Sequence, residues 1–132
     1  MVAEIVGLSV SFKKQEAWYV PFSANRKEAH ELLNRFKPYF ENESIEKTGQ
    51  NIKYDLAILA NYGIGLKGKL FDTMLAHYLL EPDQKHGMDI LSEKYLGYKP
   101  VSITELIGKK GKEQLNFREV DIEKAKEYAA ED

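Results

Sequence analysis

Two β-branched and aromatic runs, EIVGLSVSF (4–12) and AWYVPF (17–22), are separated by the short polar stretch KKQE, a pattern that predicts a β-hairpin. Asn25 and Glu28 then stand at capping-box spacing ahead of a stripe of Ala29, Leu32, Leu33 and Phe36, which predicts a helix ending near Pro38 to Asn42. SIEKTG (44–49) is a short strand candidate ending at Gly49. NIKYDLAILANYG (51–63) has a helical pattern with Gly63 as its stop. KGKLF (67–71) predicts another short strand. Asp72 can cap a helix over DTMLAHYLLE (72–81), with Met74, Leu75, Tyr78 and Leu79 expected to face inward. PDQKHG (82–87) is a loop, and MDILSEKYLG (88–97) a helix closed by glycine. GKKGKEQL (108–115) is a basic loop, and VDIEKAKEYAAED (120–132) a last helix. Strands and helices that alternate after an opening hairpin argue for an α/β layered fold, and 132 residues suffice for one domain with one core. No repeat, low-complexity tract or internal linker interrupts the chain.

Composition narrows the functional classes. The net charge of −2 gives no global field toward nucleic acid or membrane, so any nucleic-acid site is local. The absence of cysteine excludes disulfides and thiolate metal sites. MVAEIVGLSV carries no signal-peptide pattern and no stretch reaches the apolar length of a membrane span; the expectation is a cytoplasmic protein with no membrane partner.

Two acids fall on apolar stripes. Ile52, Leu56, Leu59 and Tyr62 mark the stripe of the central helix, and Asp55 lies within it. Ile122, Ala125 and Ala129 mark the stripe of the last helix, whose next position is Asp132. A lone carboxylate on a buried face is costly unless it is paired or binds a cation, so the two suggest a shared site. The plainer readings stand beside this one: Asp132 as a solvated terminal residue, and Asp55 as the partner of a nearby lysine.

GQNIKYDLAILANYG (49–63), FDTMLAHYLL (71–80), MDILSEKYLG (88–97) and EYAAED (127–132) strongly resemble, in order and spacing, the 3′–5′ exonuclease domain of bacterial DNA polymerase I, a DEDD exonuclease on a ribonuclease-H-like fold. A Gly/Lys loop like GKKGK precedes the last helix there too. The resemblance implies a proofreading activity that hydrolyses 3′-terminal phosphodiester bonds of single-stranded DNA with two ions of Mg2+ or Mn2+. It implies Asp55, Tyr128 and Asp132 as catalytic residues, with Asp55 and Asp132 as metal ligands and the Tyr128 hydroxyl orienting the attacking water. It places Gln50, Asn51 and Tyr54 on the frayed 3′ end, and Lys85 near the scissile phosphate. Asn51 has a helix-capping reading of equal weight. Lys109, Lys110 and Lys112 could touch the DNA backbone or form a solvated loop; His86 reads as a loop residue, Asp72 as a structural cap, and Trp18 and most tyrosines as core.

The family's remaining two acids come from an Asp-x-Glu pair on a first strand, and no such strand precedes the hairpin here. The expectation is therefore a ribonuclease-H-like mixed sheet without its central strand, in a domain of residues 1–132 cut at both ends. The remaining strands would close up or associate with a neighbouring chain, and the isolated piece would have little exonuclease activity and bind metal weakly, the two ions belonging to the intact parent. The polymerase domain of the same parent chain is the expected partner. A ribonuclease-D-like enzyme acting on RNA, and a degenerate domain kept as a scaffold, are the competing classes.

Overall fold

The computed structural model describes residues 4–108 and 115–131. Its elements are β1 (Gly7–Lys13), β2 (Glu16–Pro21), α1 (Arg26–Asn34), α2 (Lys37–Phe40), β3 (Lys47–Gly49), α3 (Ile52–Ala60), β4 (Leu70–Asp72), α4 (Thr73–Leu80), α5 (Met88–Leu96), α6 (Ile103–Ile107), a 3-10 turn (Phe117–Glu119) and α7 (Ile122–Glu131). They fall into two compact units, one containing Ser23–Met88 with Ile5, the other Val6–Phe22 with the described residues from Asp89 on.

In the first unit, β3 and β4 pair in parallel, Lys47 opposite Leu70 and Gly49 opposite Asp72, with α3 between them in sequence. Leu33 of α1 is fully buried, joined in the core by Ala29, Phe40, Ile52, Leu59, Tyr62 and Ile64. The Tyr62 hydroxyl accepts from the backbone N–H of Ile5 at 3.1 Å, tying that residue to the helical layer. Lys47 is buried at 6% exposure, and its ammonium donates to the carbonyls of Asn42 and Lys67 above the Tyr39 ring. Such donation is what allows a cation to leave water. Gly68 sits at φ +87°, where a Cβ would lie 2.8 Å from the carbonyl oxygen of Glu43. Any side chain here is strained in both backbone and contact, which favours glycine, and β4 starts after it.

In the second unit, β1 and β2 form the expected antiparallel hairpin, with Gly7 opposite Pro21 and Lys13 opposite Glu16. Gln15 takes the turn's positive φ of 64°, and the Ser11 hydroxyl bridges the carbonyls of Lys13 and Glu16 across the register irregularity. α7 packs on both strands, and the Ser9 hydroxyl donates to the carbonyl of Ala129 at 2.5 Å. Its stripe is buried at Ala125, while Ile122 is exposed.

Several expectations need correction. α1 stops at Asn34, and the proline does not end it but lies in the first turn of a separate helix, where its missing N–H costs nothing. The four strands do not close into one sheet: among the described residues they form two separate two-stranded sheets, each closed by its own local connection. Leu75, Tyr78 and Leu79 do not face inward; they are 58%, 51% and 76% exposed, and the buried residue of α4 is His77. That helix is apolar on nearly every side, so periodicity cannot select its inner face. Trp18 is not core but 46% exposed against Phe12, and Tyr54, Tyr95 and Tyr98 are exposed as well. Strand alternation gives an aromatic a face without saying whether anything covers it. α6 and the 3-10 turn were not anticipated, although SITE (102–105) and NFRE (116–119) carry the Ser/Asn-x-x-Glu spacing of a capped start. Among the described residues, no helix is long and apolar enough to cross a membrane.

Candidate functional site

The candidate site is built around the junction where β4 ends. One carboxylate oxygen of Asp72 accepts the backbone N–H groups of Met74 and Leu75 at 2.9 and 3.2 Å, capping α4. The same carboxylate accepts from Asn51 at 3.0 Å and from Ile52 at 2.9 Å, so it also serves the first N–H groups of α3. Two helix N-termini, each carrying partial positive charge, thus share one acid. Burial alone would raise the Asp72 carboxyl, but the four backbone N–H donors outweigh it and hold the group below the ordinary carboxylate range.

Because Asp72 caps α3 from across the sheet pair, Asn51 is released from that duty. It occupies the cap position in the left-handed region, φ 60° and ψ 44°, and its side chain makes no capping bond. Asparagine tolerates this conformation better than other non-glycine residues. The capping reading of Asn51 is therefore corrected in its agent: the neighbouring strand supplies the cap.

Tyr54 and Asp55 follow on the first turns of α3, and both are exposed, Tyr54 at 56%. The placement of Asp55 on a buried face is thus overturned. Its azimuth matches that of the buried Ile52, Leu59 and Tyr62, but azimuth does not fix what packs at a given height along the helix, and Leu56 one step on is only half-buried. Local desolvation raises the Asp55 carboxyl above its ordinary range, backbone donation opposes this, and repulsion from Asp72 adds to the rise. Since the residue as a whole stays exposed, the desolvation acts on one side of the group and carries little energy. The suggested lysine partner does not materialise: among the described residues, no ion pair engages Asp55.

Gln50 is committed within the protein. Its Nε2 donates to the carbonyl of His86 at 2.7 Å, and its Oε1 accepts from the Thr73 hydroxyl, which also reaches the carbonyl of Gly49 at 3.2 Å. His86 is a loop residue, as expected, and Lys85 beside it is exposed. The ring of His86 meets His77 at 2.6 Å between Nδ1 atoms. Neither Thr73 nor His77 was singled out in the sequence. The one available signal was a histidine inside an otherwise apolar helix.

The first unit therefore holds Gln50, Asn51, Tyr54, Asp55 and Lys85. Tyr128 belongs to the second, half-buried in α7 with its ring 5.7 Å from that of Phe117. Asp132, Lys109, Lys110 and Lys112 lie outside the described residues. Among the described residues, no three His, Asp or Glu side chains form a metal-binding group.

Comparison with known proteins agrees with the motif order. The family model described as 3′-5′ exonuclease matches residues 1–132. DNA polymerase I of Pseudomonas aeruginosa is 40% identical over 98% of this chain and 15% of that protein. DNA polymerase I of Rhizobium leguminosarum is 37% identical over 100% of this chain and 15% of that protein. The chain thus spans about 15% of the length of the curated relatives it matches. Among solved structures, Brucella melitensis NrnC bound to pGG aligns with a TM-score of 0.70 at 21% identity, covering 98% of this chain and 57% of that one. That likeness is one of fold, and the α/β class is the ribonuclease-H-like one expected from the sequence. By its match along the whole length, the chain belongs to the 3′–5′ exonuclease family found in bacterial DNA polymerase I.

Proposed function

We propose that this chain is part of a DNA polymerase I in which it removes 3′-terminal nucleotides from single-stranded DNA ends, working beside the polymerase domain of the same parent chain. The observation that carries this reading is the joint exposure of Tyr54 and Asp55 at the start of α3, in a chain that matches the exonuclease family from end to end. An exposed aromatic ring offers a stacking platform worth about 1–3 kcal/mol per base, and it discriminates little between sequences. Asn51 and Lys85 add an amide and a cation in the same unit, suited to phosphate or base edges.

Asp55 suits a hard divalent ion: it is an exposed oxygen donor whose carboxyl is raised first by local desolvation and to a lesser degree by the charge of Asp72, and a bound cation favours its ionised form. In this reading, which rests on the family motifs, Asp55 and Asp132 would each serve as an oxygen ligand for Mg2+ or Mn2+, ions that would supply the charge stabilising attacking and leaving oxygens of phosphodiester hydrolysis. Tyr128 precedes Asp132 by four residues in sequence, and its hydroxyl would orient water.

The family motifs of this chain supply Asp55 and Asp132 to the ligand set, and these two carboxylates by themselves are expected to support binding more than cleavage. The test is fluorescence anisotropy with a labelled oligothymidylate, in Mn2+ and in chelator, with gel analysis of the same samples. Binding should depend on Mn2+ and fall at least about tenfold in Asp55→Ala, the scale of a lost metal-site contact. Binding indifferent to both metal and Asp55 would overturn the proposal. A matched oligouridylate arm separates DNA from RNA preference.

A further inference from the structure

The loop of residues 82–87 is gripped at a single residue from several directions, all within the first unit. The carbonyl of His86 accepts from Gln50 at 2.7 Å, while the other end of the Gln50 amide is held by the hydroxyl of Thr73, the first residue of α4. The His86 ring meets Nδ1 of His77, which is 4% exposed, and stands edge-on to Tyr78 with centroids 5.4 Å apart. The histidine contact needs one ring to carry its proton at Nδ1 and the other to be bare there, which fixes both rings. A carboxamide with donor and acceptor both engaged is oriented by the protein. Turning it to a ligand would take the Gln50 donor from the His86 carbonyl and leave the Thr73 hydroxyl only its longer bond to Gly49.

We infer that Gln50 and His77 are positioning residues: by fixing His86 they fix the adjacent Lys85 beside the start of α3. Gln50 immediately precedes Asn51, so the bond from its side chain joins the Lys85 loop to the segment that leads into Tyr54 and Asp55. This rests on the proposed function insofar as Lys85 meets a DNA phosphate, but the clamp itself can be measured without DNA.

The test pairs two readouts on the 132-residue chain. The first is the rate of tryptic cleavage after Lys85, followed by mass spectrometry, with cleavage after Lys13, the last residue of β1 before the hairpin turn, as the internal reference. The second is oligothymidylate binding in Mn2+. Gln50→Glu keeps the bond to Thr73 and loses the donation to His86; His77→Leu removes the ring contact, and His77→Asn restores a polar atom near the position of Nδ1. Gln50→Glu and His77→Leu should raise cleavage after Lys85 about three- to tenfold, the factor of one net hydrogen bond, with cleavage after Lys13 unchanged. Both should weaken DNA binding as much as Lys85→Ala does. Combining Gln50→Glu with Lys85→Ala should add nothing further, and His77→Asn should recover most of both effects. If Gln50→Glu weakens binding while cleavage after Lys85 stays slow, Gln50 touches DNA itself and the positioning role is overturned. Faster cleavage with undiminished binding overturns it equally. Failure of the unaltered chain to bind the oligonucleotide defeats the functional reading alone, since the cleavage rates still decide the clamp.

Discussion

Replacing Asp72 should weaken two helices at once. Its carboxylate accepts four backbone N–H groups, two at the start of α3 and two at the start of α4, at 2.9 to 3.2 Å. Loss of one N-cap costs about 0.5–2 kcal/mol, so Asp72→Ala should cost about 1–4 kcal/mol at neutral pH. Asp72→Asn retains one acceptor oxygen and should fall between wild type and alanine. For a chain of this size each kcal/mol corresponds to about 3–5 °C in Tm. The pH dependence has a fixed sign. The folded-state carboxyl is held below its ordinary value, so its contribution is complete above the unfolded value of about 3.9 and disappears as pH falls through the folded one. Urea unfolding of the three proteins at neutral pH and below about pH 3 makes the comparison. The gap between wild type and Asp72→Asn should narrow on acidification. If Asp72→Ala lies within about 0.5 kcal/mol of wild type at neutral pH, the range of an ordinary surface change, the shared cap is not a stabilising element. An acid limb identical in Asp72→Asn and wild type would refute the pH argument separately.

Asp55 should behave in the opposite way. Its carboxyl is raised, so it favours the folded state at low pH and loses that contribution as pH rises through the folded value; Asp55→Asn should leave the urea midpoint at neutral pH unchanged or slightly higher, even as it impairs Mn2+-dependent DNA binding. Gly68→Ala must place a Cβ 2.8 Å from the Glu43 carbonyl oxygen at φ +87°, and should cost at least about 1–3 kcal/mol in the same unfolding assay, with Gly97→Ala, which meets nothing within 4 Å, losing less.

Local signals carried much of the fold. The hairpin, the Asn25 and Asp72 caps and the Gly97 stop all rest on short-range chemistry, and each appears where the residues place it; α3 instead ends at Ala60, with Gly63 closing the turn that follows. The family could be read for a related reason: GQNIKYD and EYAAED are contiguous, and contiguous motifs survive in one dimension. Relations across the sheet pair were not legible. Nothing near Asn51 announces that its cap comes from Asp72, 21 residues away, or that Gln50 reaches His86, 36 residues away. Burial was the other blind spot. Ile52 and Asp55 share an azimuth on α3, and α4 is apolar nearly all round, so in neither case could a periodic pattern say which positions meet solvent.

The hairpin unit draws on two distant stretches of chain, and this has a kinetic consequence. Ser9 on β1 and Ala129 on α7 bond across a separation of 120 residues, with all of Ser23–Met88 between them. On a ribosome adding about 5–20 residues per second, the covering helix follows the strands it covers by about 6–24 s. A lone two-stranded ribbon is marginal in water, so for that interval the strands wait half-made while the intervening unit, nearly continuous in sequence, is free to fold first.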